Sequence, residues 1–172
     1  SWLGDAMASA ASETFTSTSA PIQYAAIEAF RGNPEIDRYL KLSRAIVRDL
    51  GRWIAQELRA AGVKVDDPEG GFSLFPDFEP LHEMWDRRQV TSSPELTRRC
   101  LEEAGVAFLP GSCFGRPPEE RTARIAYVNF DGAQALTEAS ERGDEDAGDL
   151  ASLPACASTR DAVRRLVDWL HD

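Results

Sequence analysis

Few residues of this chain are suited to chemistry, and the most conspicuous is an arginine. Arg124 stands near the start of ARIAYVNFDG (residues 123–132), whose apolar composition predicts a buried strand. A guanidinium in such a place loses its water, and burying an unpaired charge costs several kcal/mol. Either another part of the chain supplies a carboxylate, as a structural ion pair, or a ligand does. The planar fork matches a carboxylate in a way that lysine does not reproduce. The residue types leave both readings open. Arg121, three residues earlier, falls in the preceding loop and is expected to be solvent-exposed.

The other reactive side chains are scattered. Cys100, Cys113 and Cys156 are three in number and show no CxxC spacing, and His82 and His171 have no ligand pattern around them. A structural zinc site needs about four nitrogen or sulfur ligands, so no metal is expected. Cys113, in PGSCFG, invites a nucleophile reading, yet no histidine lies near it in sequence. Unpaired thiols suit a reducing cytoplasm better than a secreted disulfide scaffold. The only lysines are Lys41 and Lys64.

A chain of 172 residues with 42% hydrophobic content can bury a core of one domain or slightly more. No apolar run approaches the roughly 18 residues of a membrane span, and SWLGDAMASA lacks the regions of a signal peptide. A formal net charge of −10, without a basic stripe, repels phosphate backbones and argues against nucleic-acid binding. The chain does not start with methionine, and the expectation is that it begins within a larger protein.

Several elements must position these residues. Six of the ten positions from Ser12 to Pro21 are Ser or Thr, so the first 20 residues are expected to be loop or short turn. Ser19 and Pro21 then open a helix over IQYAAIEAF, closed at Gly32-Asn33-Pro34. From Pro34 to Ala61, apolar residues recur at three- and four-residue steps, which predicts a long helix stopped by Gly62. Such a length suits a span between subdomains or a dimer contact as well as it suits an ordinary core helix. Short strands are expected at 63–65, 72–78, 106–109 and 123–130, with an irregular connection over 79–93. A helix is expected from Ser93-Pro94 to Gly105, another after Asp131, and a last one over 159–170. GDEDAGD (143–149) reads as an acidic surface loop.

Three stretches carry a resemblance. SETFTSTSAPIQYAA, GVKVDDPEGGFSLFPDF and GVAFLPGSCFG…RIAYVNFDG together resemble, in order and spacing, the C-terminal part of fold-type I aminotransferases, the pyridoxal-phosphate enzymes of the aspartate aminotransferase superfamily. The likeness covers roughly residues 1–140. It implies a small α+β domain of an α/β enzyme, with a helical lead-in from the large domain and a long interdomain helix. Residues 1–33 would be a remnant of the large, cofactor-binding domain, 34–62 the connecting helix and 63–172 the small domain. It also implies that Arg124 binds the α-carboxylate of the substrate. Phe72, Gly111, Ser112 and Phe114 are then candidates for the pocket wall, with Phe72 near the substrate or in the core.

The resemblance further implies what is missing. In the family, a lysine in a Ser-Lys motif holds pyridoxal 5'-phosphate as a Schiff base, upstream of the Ser/Thr-rich segment. Neither Lys41 nor Lys64 matches that motif, and the elements that cradle the ring are also upstream. The chain alone is therefore expected to carry no catalytic residue, to bind no cofactor and to be inactive. The intact protein would be a cytoplasmic homodimer acting on an amino acid and a 2-oxo acid, without nucleic acid or membrane. Residues 8–20 contain no arginine, which argues against one type of aspartate specificity. Two readings compete: a non-catalytic aminotransferase-like domain of a regulator, and a freestanding α+β interaction domain.

Overall fold

Alanine governs the N-terminus more than the hydroxyl residues do. In the computed structural model, which describes residues 2–14, 18–142 and 149–172, α1 is a helix over Trp2–Thr14. This corrects the expected loop. Ala6, Ala8, Ala10 and Ala11 favour the helix, and the hydroxyls donate back into it, Ser12 to the Ser9 carbonyl at 3.0 Å and Thr14 to the Ala10 carbonyl at 2.8 Å. Residues 15–17, part of the expected loop, and 143–148 of the acidic stretch lie outside the described residues.

α2 spans Ala20–Arg31 with Pro21 in its first turn. Ser19 stands at the cap position without a side-chain cap bond; Gln23 instead donates from its amide side chain to the Thr18 carbonyl at 2.6 Å. Gly32, at φ +71°, ends the helix, and the Asn33 side chain accepts from the Ile36 amide at 2.9 Å to open the next. α3 runs over Pro34–Ala60. Its stop is a Schellman motif built on Gly62 at φ +86°, with the Val63 amide donating to Leu58 and the Gly62 amide to Arg59, each at 3.0 Å.

The chain divides into two units, Ser1–Leu40 and Lys41–Asp172. In the first, no residue of α1 or α2 is buried, and Trp2, Ile22, Tyr24 and Phe30 are exposed. The second holds the core. Ile46, Leu50, Ile54 and Leu58 bury one face of α3 at four-residue steps, together with Phe78, Trp85, Leu96, Ile125, Tyr127 and Leu166.

A three-stranded antiparallel sheet lies in this second unit, in the order β1–β3–β2. β1 is Ser73–Leu74, β2 is Leu109–Pro110 and β3 is Ala123–Ala126. Leu74 pairs with Ile125 and Leu109 with Arg124. The expected strands are shorter than their apolar runs. Pro76 and Pro110 have no amide to donate, and residues 63–65 make one isolated bridge, Lys64 with Asp77, in place of a strand.

Residues 79–93 are not irregular throughout. After a turn over Glu79–Leu81, α4 covers His82–Arg87 and buries Trp85, whose Nε1 donates to the Phe78 carbonyl at 2.8 Å. The helices expected downstream are present: α5 over Ser93–Ala104 with Ser92 as cap, α6 over Gly132–Arg142 capped by Asp131, and α7 over Ala157–His171. Trp169 of α7 packs on Trp85 at 5.4 Å between ring centres. Its Nε1 donates to Glu103 of α5 at 2.7 Å.

Candidate carboxylate site on the outer sheet face

The alternation along β3 decides where its arginine goes. Ala123, Ile125 and Tyr127 are buried toward the core, so Arg124, Ala126 and Val128 belong to the opposite face. Arg124 is thus on the central strand, between β1 and β2. Its register partner Leu109 is exposed on one side. On the other side the β1 register, carried one residue on, brings Phe75 opposite; the Ala123 amide donating to the Pro76 carbonyl at 3.1 Å maintains that alignment.

Arg124 has no carboxylate or carbonyl partner among the described residues, and its buried Nε makes no hydrogen bond. What it touches is an aromatic face: its guanidinium carbon lies 4.4 Å from the centre of the Phe114 ring. The Phe114 ring stands perpendicular to that of Phe75, at 86° with 6.1 Å between centres. The result is a half-buried cation, backed by a ring, with five N–H donors and no acceptor for them among the described residues.

Arg121 is the opposite case, and corrects the expectation that it is exposed. Its side chain is only 11% exposed. Its Nε donates to the Val90 carbonyl at 2.9 Å, one terminal nitrogen to both oxygens of Glu79 at 3.0 Å, and the other to Asp86 at 3.0 Å. Of two arginines three residues apart, one is bonded through all three of its side-chain nitrogens and the side chain of the other has no hydrogen-bond partner among the described residues.

The PGSCFG turn puts Phe114 in place. Gly111–Phe114 form one tight helical turn, and Gly115, at φ +79°, closes it by donating back to Gly111 and Ser112. Gly111 is buried against Thr122: its amide donates to the Thr122 carbonyl at 2.8 Å, and a Cβ there would run into that threonine. Gly111 therefore seats the turn, and Ser112 is half-buried within it. Phe72 lies elsewhere, just beyond the β1–β3 ladder, in a cleft of about 580 Å³ lined also by Ser43, Arg44, Val47, Tyr127 and Val128. Of the candidates, then, Arg124 and Phe114 are brought together and Phe72 is in a neighbouring cleft. Sequence reasoning missed Phe75; the period of two in FSLF and its pairing with β3 carried the signal.

Lys64 is 75% exposed and pairs with Asp77 at 3.8 Å, and Lys41 is exposed on α3; neither lines the cleft. Among the described residues no group of three or more His, Cys, Asp or Glu could hold a metal ion, and no helix is long and apolar enough to cross a membrane.

Comparison with known proteins gives a consistent result. Residues 2–139 match the family model described as aminotransferase class I and II. An aspartate aminotransferase of Bacillus sp. (strain YM-2) is 34% identical over 140 residues, which is 81% of this chain and 33% of that protein. An asparagine–oxo-acid transaminase of Streptococcus mutans is 34% identical over 123 residues, 72% of this chain and 29% of that protein. The chain thus spans about a third of the length of these relatives. Among solved structures, a Thermus thermophilus aspartate aminotransferase mutant superposes with a TM-score of 0.63 at 22% identity, over 95% of this chain and 35% of its own. An aromatic aminotransferase from Pyrococcus horikoshii gives 0.61 at 23% identity, over 87% of this chain and 31% of its own. The chain belongs to the class I and II aminotransferase family.

Proposed function

We propose that this chain is the C-terminal portion of a pyridoxal-phosphate-dependent aminotransferase, in which Arg124 binds the carboxylate shared by the amino acid and the 2-oxo acid. The observation that carries the reading is the open guanidinium: a half-buried Arg124 whose Nε has no partner. An unsatisfied buried donor is destabilising, and a bidentate carboxylate satisfies it with charge-assisted hydrogen bonds. Family membership supplies the reaction class, transfer of an amino group.

In this reading residues 1–33 continue a large domain, 34–62 connect, and 63–172 form the small domain. The other two thirds of the protein hold the cofactor and the Schiff-base lysine, and two copies of the whole assemble, in a reducing compartment suited to three free cysteines. The chain then contributes substrate recognition and cannot transaminate by itself.

The test is to titrate this chain with pyridoxal phosphate, reduce with borohydride and weigh the intact protein. The expected result is no stoichiometric adduct. A one-to-one adduct on Lys41 or Lys64 that disappears on adding an amino acid overturns the proposal, because the chain would then build its own cofactor site.

A further inference from the structure

We infer that Phe114, packed perpendicular to Phe75, is a positioning residue that sets the plane of the Arg124 guanidinium before a carboxylate arrives. The inference rests on the reading of Arg124 as the carboxylate-binding residue and adds what makes that arginine effective. An arginine side chain has four rotatable bonds, and ordering it upon binding subtracts from affinity unless it is ordered beforehand. Arg121 is ordered by two carboxylates and a carbonyl. A carboxylate beside Arg124 would order it equally well, but would also occupy the donors the ligand needs. An aromatic face avoids that conflict: it attracts the cation through its quadrupole and consumes no N–H group.

The surroundings fit this role better than a packing role. Phe114 and Phe75 are 40% and 42% exposed, so neither ring is chiefly core filling. The two rings are perpendicular to each other, and the guanidinium lies over the ring of Phe114. Both rings are fixed to the backbone that carries Arg124: Phe75 through the β1–β3 pairing, and Phe114 through the turn that Gly111 seats against Thr122, two residues before Arg124.

The experiment uses the cofactor-loaded full-length enzyme that contains this chain. It measures the dissociation constant of propionate, an unreactive carboxylate, by calorimetry, together with kcat and KM for the amino-acid substrate. Phe114→Leu keeps apolar bulk and removes the ring face; it is expected to raise both the propionate Kd and KM by roughly 3- to 30-fold with kcat changed less than about twofold. Phe114→Tyr is expected to stay within about twofold of the parent, since the face is retained. Phe75→Leu, which removes only the neighbouring ring, is expected to weaken propionate by about 2- to 5-fold and serves if Phe114→Leu does not fold. Unchanged propionate binding in Phe114→Leu, or failure of Phe114→Tyr to rescue it, overturns the positioning role. Arg124→Lys separates the two ideas. If it leaves propionate binding intact, the carboxylate reading of Arg124 fails. If it abolishes binding while Phe114→Leu does not weaken it, only the positioning role fails.

Discussion

Replacing Arg121 and Arg124 in turn gives two opposite effects on stability. Arg121→Met removes a guanidinium that is 11% exposed and bonded to Val90, Glu79 and Asp86. The carboxylates are themselves 53% and 67% exposed, so solvent screens the ion pairs and reduces their worth well below that of a fully buried network. The loss of the part-buried Nε bond to Val90, and of that carbonyl's partner, adds to it. A total of roughly 2–3 kcal/mol follows, or a fall in Tm of about 5–10 °C for a chain of this size. Arg124→Met removes no hydrogen bond from the fold. It forfeits a cation–π contact worth about 0.5–1 kcal/mol, and relieves a buried unsatisfied donor whose burden is about 1–3 kcal/mol. Its expected effect lies between about zero and 2.5 kcal/mol of added stability. Urea unfolding followed by tryptophan fluorescence measures both, because Trp85 and Trp169 are buried in the unit that contains the two arginines. If Arg124→Met loses as much stability as Arg121→Met, Arg124 has a partner within the fold. The argument that it waits for a ligand is then refuted.

Three further outcomes follow from the same structure. Gly111→Ala places a Cβ against Thr122 and should destabilise by about 1–3 kcal/mol in the same urea assay, with a wild-type midpoint counting against the seating role. The Glu103 carboxylate is held below its usual range, chiefly by the hydrogen bond from Trp169 and then by Arg99 and Arg88. A depressed folded value means that its stabilisation is present above the unfolded value of about 4.3 and is lost as pH falls through the lower folded one, so Glu103→Gln should lower Tm at pH 7 and match the parent near the acid end. In thiol titration of the native protein Cys113, which is exposed, should react fast, while Cys100, pushed up to about 12 by burial, and Cys156, also raised by burial, should react only on unfolding. Fast modification of Cys100 at neutral pH would show that the α5 packing opens.

What could be read in the sequence was local. The four-residue steps of α3, its stop at Gly62, and the capped α5 and α6 each follow from neighbouring residues, and the structure places them within a residue or two. α1 runs against the competition that Ser and Thr offer the backbone, because alanines dominate its middle and the hydroxyls donate into the helix. α4 was missed because its six residues are too few to display a period, and Trp85 fixes it through a tertiary bond to Phe78. The arginines show the limit most clearly. Arg121 is satisfied by residues 35 and 42 positions away, and no spacing rule foresees which of two nearby arginines those carboxylates meet. Gly111 illustrates a further limit: the resemblance implies a place in the pocket wall, and its packing against Thr122 gives it a structural task that no local pattern announces.

The outer face of the sheet combines two demands that a single event can resolve. Leu109, Phe75, Phe114 and Val128 leave apolar area in water, and among them Arg124 keeps a buried nitrogen without a partner. Covering the face with an apolar surface alone would remove water from the guanidinium and worsen its position. A carboxylate in open solvent would help the arginine only weakly, since water screens the pair. A carboxylate enclosed against this face does both, because exclusion of water strengthens the ion pair while the apolar side chains are buried. Enclosure also creates discrimination: a ligand of the same shape without the carboxylate leaves Arg124 desolvated and unpaired, so it is rejected more strongly than its lost contacts alone would account for. In the proposed reading, recognition at this site depends on what the fold withholds from Arg124 as much as on what Phe114 and Phe75 provide.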